Sequence, residues 1–346
     1  MMKLLQRIFK SCKSKISNFF IRLFTIIRKR MKEQIFKEYD DCETCQNLEA
    51  KSANLPAIKK HLTAVHDQTD VSLFVCSKKS GYRHVFLKLY TLTKPYHEPN
   101  FDQDLKLAFH NKAWEMIVGR SLLGSGRTIL PNKVQKGPDY QTDKGYIECI
   151  NAAPAQGYVS KIKHDVPVFE QVPESDIQLR ITNAFATKSR IIKNYLAKGM
   201  IDESKPRIIA INYSKAHDFA WADNEELSDN FVLRSLFGMG PLSVTFDPAD
   251  PGPHEFKVSF QPQLQKSEKV KVPSDYFLND AHKHISAVIY SNHQIESDHS
   301  DEVSIVNNPF AEIPINLDDY PDMHRILADS KAGTLHKTPR VDKTPE

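Results

Sequence analysis

The chain has 346 residues, 40% of them apolar and 10% aromatic, with 12 Gly and 20 Pro. That composition can fill one large domain or two ordinary ones, and it excludes wholesale disorder, a collagen-like repeat and a disulfide miniprotein. The formal charge of +4 is unevenly divided: residues 1–37 hold eleven Lys or Arg and one acid, a net +10, whereas the other 309 residues carry 36 bases and 42 acids, a net −6.

Residues 1–38 contain neither Gly nor Pro, and apolar residues recur at steps of three and four from Leu5 through Phe9, Cys12, Ile16, Phe20, Leu23 and Ile27 to Met31. The spacing predicts a basic amphipathic helix. Such a helix suits an anionic membrane surface, with Phe19, Phe20 and Phe24 at the interface, or packs on the body or on a partner helix. Its longest apolar stretch, residues 16–27, is interrupted by Ser17, Asn18, Arg22 and Thr25 and is too short to span a bilayer. It does not end in small residues as a signal-peptidase site does, although its scarcity of acids also fits a transit peptide. The five cysteines, Cys12, Cys42, Cys45, Cys76 and Cys149, are scattered and odd in number, which points to a reducing compartment and a cytoplasmic location, peripheral at a membrane if the helix binds one.

Residues 39–70 read as a polar connector with one motif, Cys42-x2-Cys45 followed by His61-x4-His66. Two thiolates and two imidazoles about a helical turn apart can surround Zn²⁺ tetrahedrally. Ile58 to His66 resembles the helical half of a zinc finger, a nucleic-acid reader, with Leu62 as its core residue. The loop between the two pairs lacks an aromatic residue and is long for such a finger, so a surface Cys pair beside an exposed helix is the competing reading.

From residue 71 to 328 the pattern predicts an α/β domain. Val71 to Cys76 and Arg83 to Leu92 read as strands joined by a turn at Ser80-Gly81, and Phe101 to Leu123 as one helix ended by Gly124. Strands follow at Arg127 to Leu130 and Tyr146 to Asn151, and a second amphipathic helix covers Asp176 to Lys198. Arg207 to Asn212 has the unbroken apolar form of a fully buried strand. Leu242 to Phe246, Glu255 to Phe260, Ile285 to Tyr290 and Val303 to Val306 supply further strands, with His282, His284 and His293 expected on the solvent side. The expected fold is a mixed central sheet flanked by helices, with an added β section. Residues 329–346, polar and repeating Lys-Thr-Pro, are expected to be disordered.

The most informative chemistry lies in Gly137-Pro-Asp139 and Gly145-Tyr-Ile-Glu-Cys-Ile-Asn151. Asp139 stands where a turn enters a strand, and Glu148 lies in an apolar strand between Ile147 and Cys149. Burying a carboxylate there costs several kcal/mol unless a cation or hydrogen bonds compensate. Two acids on adjacent strand ends can share one Mg²⁺, a hard cation that favours carboxylate oxygen and keeps several waters. In the competing reading, Asp139 caps a turn and Glu148 pairs with Arg180.

These residues resemble the PD-(D/E)xK nuclease superfamily, whose core is a mixed sheet flanked by two helices, a restriction-endonuclease-like core. The likeness extends over about 101–325 and includes segments Ala113 to Met116, Ile208 to Asn212, Ser286 to Ser291 and Asn307 to Ala311, which are similar to uncharacterised bacterial proteins assigned by pattern to this fold. It implies that Asp139 and Glu148 bind Mg²⁺, with Glu115 on the preceding helix as a further metal acid. It also implies a nucleic-acid substrate, DNA or RNA, whose phosphates Arg180, Lys161 and Lys163 would hold. The family lysine two residues after the second acid is replaced here by Ile150; some members supply it from the next helix, which nominates Lys188 ahead of Lys193 for the catalytic role. If neither lysine reaches the acids, the alternative is an inactive nuclease-fold binding protein recruited by residues 1–38.

Overall fold

The computed structural model describes residues 80–131, 137–154, 173–217, 230–247, 250–293, 302–331 and 333–340. The basic helix predicted over 1–38, the proposed zinc ligands Cys42, Cys45, His61 and His66, the strand Val71 to Cys76, and Lys161 and Lys163 lie outside the described residues. The chain divides into two units, residues 1–91 and 92–346.

In the first unit the described residues belong to helix α1, Ser80–Thr93, which corrects the strand predicted over Arg83 to Leu92. The alternation of His84, Phe86, Lys88 and Tyr90 is also an i, i+4 pattern: Phe86 and Tyr90 stack with ring centroids 6.4 Å apart, and Leu89 is buried beside them.

The second unit takes in the last two residues of α1 and continues with α2, Phe101–Leu107, and α3, Phe109–Gly124. The single helix predicted here is broken at Ala108, whose φ of −140° and ψ of 51° leave the helical region; α3 then buries Trp114, Ile117 and Leu122, while Leu107 at the end of α2 faces water. Short strands β1, Ile129–Leu130, and β2, Tyr140–Thr142, lead into β3, Gly145–Asn151. Gly145 has a φ of 149°, and a Cβ there would strike the Pro206 carbonyl, so only glycine lets β3 start beside the neighbouring chain. Then come the long helix α4, Glu174–Ala197, and β4, Arg207–Asn212, every residue of which is buried as its apolar run predicts.

Between β4 and the next strand of the main sheet the chain inserts α5, Phe231–Phe237, and two antiparallel hairpins. These are β5, Met239–Asp247, with β6, Asp250–Phe260, and β7, Gln263–Ser267, with β8, Val270–Pro273. The Asn230 side chain caps α5 by accepting from the Val232 and Leu233 amides. The sheet resumes with β9, Ala287–Ser291, and β10, Ser304–Asn307, then β11, His324–Asp329, and β12, Thr334–Thr338.

The eight strands run in the order β1-β2-β3-β4-β9-β10-β11-β12. The β1-β2-β3 meander is antiparallel, β3, β4 and β9 are mutually parallel, and β10 pairs antiparallel with β9 and parallel with β11. The β12 strand corrects the disordered end expected after 329. It pairs Leu327 with His336 and Asp329 with Thr334 at the edge of the sheet, where a polar segment needs only one backbone ladder and no buried face.

Helices cover both faces of this mixed sheet. On one face Ile177, Ile181, Phe185 and Ile192 of α4 pack with Tyr146, Ile209, Ile211 and Val288, each fully buried apolar side chain contributing about 1.5–3 kcal/mol. On the other, the Trp114 indole of α3 donates to the Ala210 carbonyl at 3.0 Å. Where β3 leaves the meander and joins the parallel strands, α3 and α4 flank its two sides, and that junction holds the carboxylates.

Candidate functional site

The β2–β3 register places Asp139 beside Glu148. Tyr140 pairs with Ile147, so the residue before β2 comes alongside the middle of β3, and Asp139 Oδ2 accepts the Cys149 amide hydrogen at 2.6 Å. A short bond from backbone to an ionised acceptor fixes this carboxylate to the strand itself. Glu148 projects towards α4. There the Lys188 ammonium lies 2.6 Å from Glu148 Oε2 and 3.6 Å from Asp139 Oδ2, bridging the two acids.

The competing pairing of Glu148 with Arg180 is not formed. Lys193, the other lysine considered, donates to the Ala281 carbonyl at 3.2 Å and turns away from the acids. Ile150 packs against the apolar cluster beneath α4, so the position two residues after Glu148 serves the core while α4 delivers the cation.

Burial, followed by the charge of Asp139, pushes the Glu148 carboxyl up to about 7, against the pull of Lys188. For Lys188 burial acts in the opposite sense, but Asp139 and Glu148 outweigh it and raise the ammonium above its ordinary range. Lys188 therefore stays charged at neutral pH. Glu148 Oε1 is buried and has no partner at hydrogen-bond geometry among the described residues, although the Tyr195 hydroxyl lies near enough to this carboxylate to pull its titration down. Side-chain exposure is 3% for Glu148, 15% for Lys188 and 18% for Asp139, so the cluster is reached from the Asp139 side. Tyr195, two turns along α4, donates to the Gly137 carbonyl at 2.9 Å and holds the turn that presents Asp139.

Glu115 approaches Asp139 from α3. Its carboxylate is bound by Lys112, at 2.9 Å, and Lys112 also reaches Glu98 at 2.7 Å and lies 5.1 Å from the centre of the Phe101 ring. Burial and then the Asp139 charge raise the Glu115 carboxyl well above its usual value. Tyr140 joins the two elements by donating to the Glu115 carbonyl at 2.8 Å. Among the described residues no three His, Cys, Asp or Glu stand close enough together to hold a metal ion. The two acids that share Lys188 are Asp139 and Glu148, whereas Glu115 is taken up by Lys112.

Sequence reasoning missed the Lys112–Glu115 pair, for which the i,i+3 spacing on α3 was a signal, the Lys112–Glu98 pair, for which there was none, and a polar cluster behind α4. The Ser189 hydroxyl there lies 2.9 Å from His282 Nδ1 and 3.0 Å from His284 Nε2. His284 is buried, which corrects its expected solvent position: the turn before β9 folds it under α4, and Arg207 donates to its carbonyl at 2.6 Å. A separate open concavity lies beyond the ends of β4 and β9, lined by Tyr213, Tyr290, His293, Glu302, His324 and Lys337 among others, and includes none of the carboxylate-site residues.

No protein-family model, curated protein or solved structure gives a match to this chain.

Proposed function

We propose that the protein hydrolyses phosphodiester bonds of nucleic acid with a divalent metal ion held by Asp139 and Glu148. The observation that carries this reading is the convergence of Lys188 on both acids, because a buried pair of carboxylates with a lysine at hand supplies the three charges such chemistry needs. A mixed sheet with helices on both faces agrees with the resemblance to the PD-(D/E)xK nucleases. Mg²⁺, when bound, would lower the pKa of a coordinated water and offset charge on the phosphate.

The chain's own contributions follow from the geometry. Asp139 is held by the Cys149 amide and offers an oriented acceptor at the open side of the cluster. Glu148 supplies the buried oxygens, one paired with Lys188 and one unpartnered. Lys188, permanently protonated, acts as a donor that orients an attacking water or steadies a non-bridging phosphate oxygen, and not as a base. Tyr195 keeps the Gly137 turn in place. Because the chain outside residues 1–37 carries −6, phosphate attraction must be local, and Arg180, half-buried on α4, with Lys161 and Lys163, remains the proposal for it.

The test is cleavage of supercoiled plasmid and of single-stranded RNA with Mg²⁺ by the full chain and by Asp139→Ala. Mg²⁺-dependent cleavage by the wild type, lost in the variant, supports the reading; equal activity, or none in either, overturns it.

A further inference from the structure

We propose that Lys188 is the resident counter-ion of the carboxylate pair: its ammonium occupies the seat a divalent cation takes, and it must leave Glu148 before the ion can bind. The inference rests on the hydrolase reading for the identity of that seat. It turns metal binding here into an exchange of one cation for another.

Three observations support it. The ammonium bridges Glu148 Oε2 at 2.6 Å and Asp139 Oδ2 at 3.6 Å, so it lies between the two groups that would coordinate the ion. Glu148 Oε1, shut away from water and without a hydrogen bond among the described residues, is a ligand oxygen that the lysine has not satisfied. The backbone behind Lys188 is also fixed, since the next residue, Ser189, is buried and bound to His282 and His284. Any release of Lys188 is therefore a rotation of its own flexible stem and not a shift of α4.

Charge decides when that rotation is favourable. With Glu148 ionised, as above pH 7, Asp139, Glu148 and Lys188 sum to −1; replacing the ammonium by a divalent ion gives 0, and keeping both gives +1 in a largely buried place. A phosphodiester entering from the Asp139 side brings the missing negative charge and accommodates the ion together with the displaced ammonium. Metal affinity is therefore low in the free protein and rises when nucleic acid is present, which keeps the site idle without substrate.

The experiment is calorimetric titration of the full-length protein with Mn²⁺ alone. Lys188→Met and Lys188→Gln should each bind Mn²⁺ about tenfold or more tightly than wild type, since they remove the competing charge. Lys188→Arg, which keeps it, should stay within about threefold of wild type, and Lys188→Met with Asp139→Asn should lose the gain. Using both neutral substitutions, each checked by thermal melting, guards against a single variant that fails to fold. Equal or weaker binding by the neutral variants, or no binding by any form, overturns the proposal. Plasmid cleavage separates the two readings. Tighter Mn²⁺ binding by Lys188→Met beside an inactive wild type keeps the counter-ion and removes the hydrolase; active wild type with no gain in Lys188→Met does the reverse.

Discussion

Lys188 Nζ reaches Glu148 Oε2 at 2.6 Å although 40 residues separate them in the chain. The cation beside the second acid therefore comes from α4, and the nearer position, Ile150, is left to the apolar cluster. On the proposed hydrolase reading the consequence for activity is direct. Lys188→Ala should lower kcat/KM for Mg²⁺-dependent cleavage by about 10²-fold or more. Lys193→Ala, whose ammonium binds the Ala281 carbonyl, should change it by no more than about twofold. Single-turnover cleavage of end-labelled DNA and RNA measures both, and a Lys193→Ala loss as large as that of Lys188→Ala would reverse the assignment.

The raised Glu148 carboxyl gives the metal-free protein an unusual pH response. The folded state holds this proton up to about pH 7, whereas the unfolded chain gives it up near its ordinary value of 4.5. Between those limits the folded state binds more protons, so this group's contribution to stability falls as pH rises and is fully lost above 7. At about 1.4 kcal/mol per pH unit the loss is on the order of 3 kcal/mol. Glu148→Gln should therefore gain on wild type in urea unfolding between pH 5 and pH 8. No pH dependence in the difference would show that Lys188 compensates Glu148 completely.

Lys112 is buried between two acids, and its removal isolates one of them. Lys112→Met should destabilise the protein by about 3–5 kcal/mol at pH 8, because Glu115 would remain buried without its cation. Adding Glu115→Gln to that variant should restore most of the loss. Thermal and urea unfolding of the single and double variants provide the measurement.

His284 works in the opposite direction from Glu148. Burial lowers its imidazole from 6.5 to about 4, against the hydrogen bond that its Nε2 donates to the Ser189 carbonyl. The unfolded chain then takes up a proton that the folded one refuses, so stability falls as pH drops from 6.5 through 4. This loss is on the order of 2–3 kcal/mol. His284→Asn, compared with wild type by urea unfolding at pH 7 and pH 4.5, should show a smaller decline across that interval, and an equal decline would locate the acid sensitivity elsewhere.

Much of the core was legible in the sequence because its signals are local. The unbroken apolar run of Arg207 to Asn212 is β4 to the residue, and Asp176 to Lys198 falls within a residue or two of α4. Glu148 was conspicuous as an acid among buried neighbours, whereas Lys188 was nominated by the family resemblance, in which some members supply the lysine from the next helix. The failures have physical causes. Phe86 and Tyr90 satisfy period two and i, i+4 alike, so a short segment could not choose between strand and helix. The β12 strand has no apolar face and exists only because β11 offers a ladder, a long-range fact that composition does not contain. The Lys112–Glu98 pair required knowing that Glu98, fourteen residues before Lys112, folds back to α3.

The bond from the Cys149 amide to Asp139 has a wider consequence. Its donor is a ladder amide of β3, so the acid's position is set by strand pairing and not by any one neighbouring side chain. Slipping β2 by one residue against β3 would withdraw that amide and separate Asp139 from Glu148, since alternate residues of a strand face opposite ways. On the proposed metal-binding reading, divalent-ion affinity is thereby a readout of strand alignment. Folding intermediates with the meander formed but misaligned would be invisible to ion titration, and recovery of ion binding during refolding would time the moment at which these two strands find their partners.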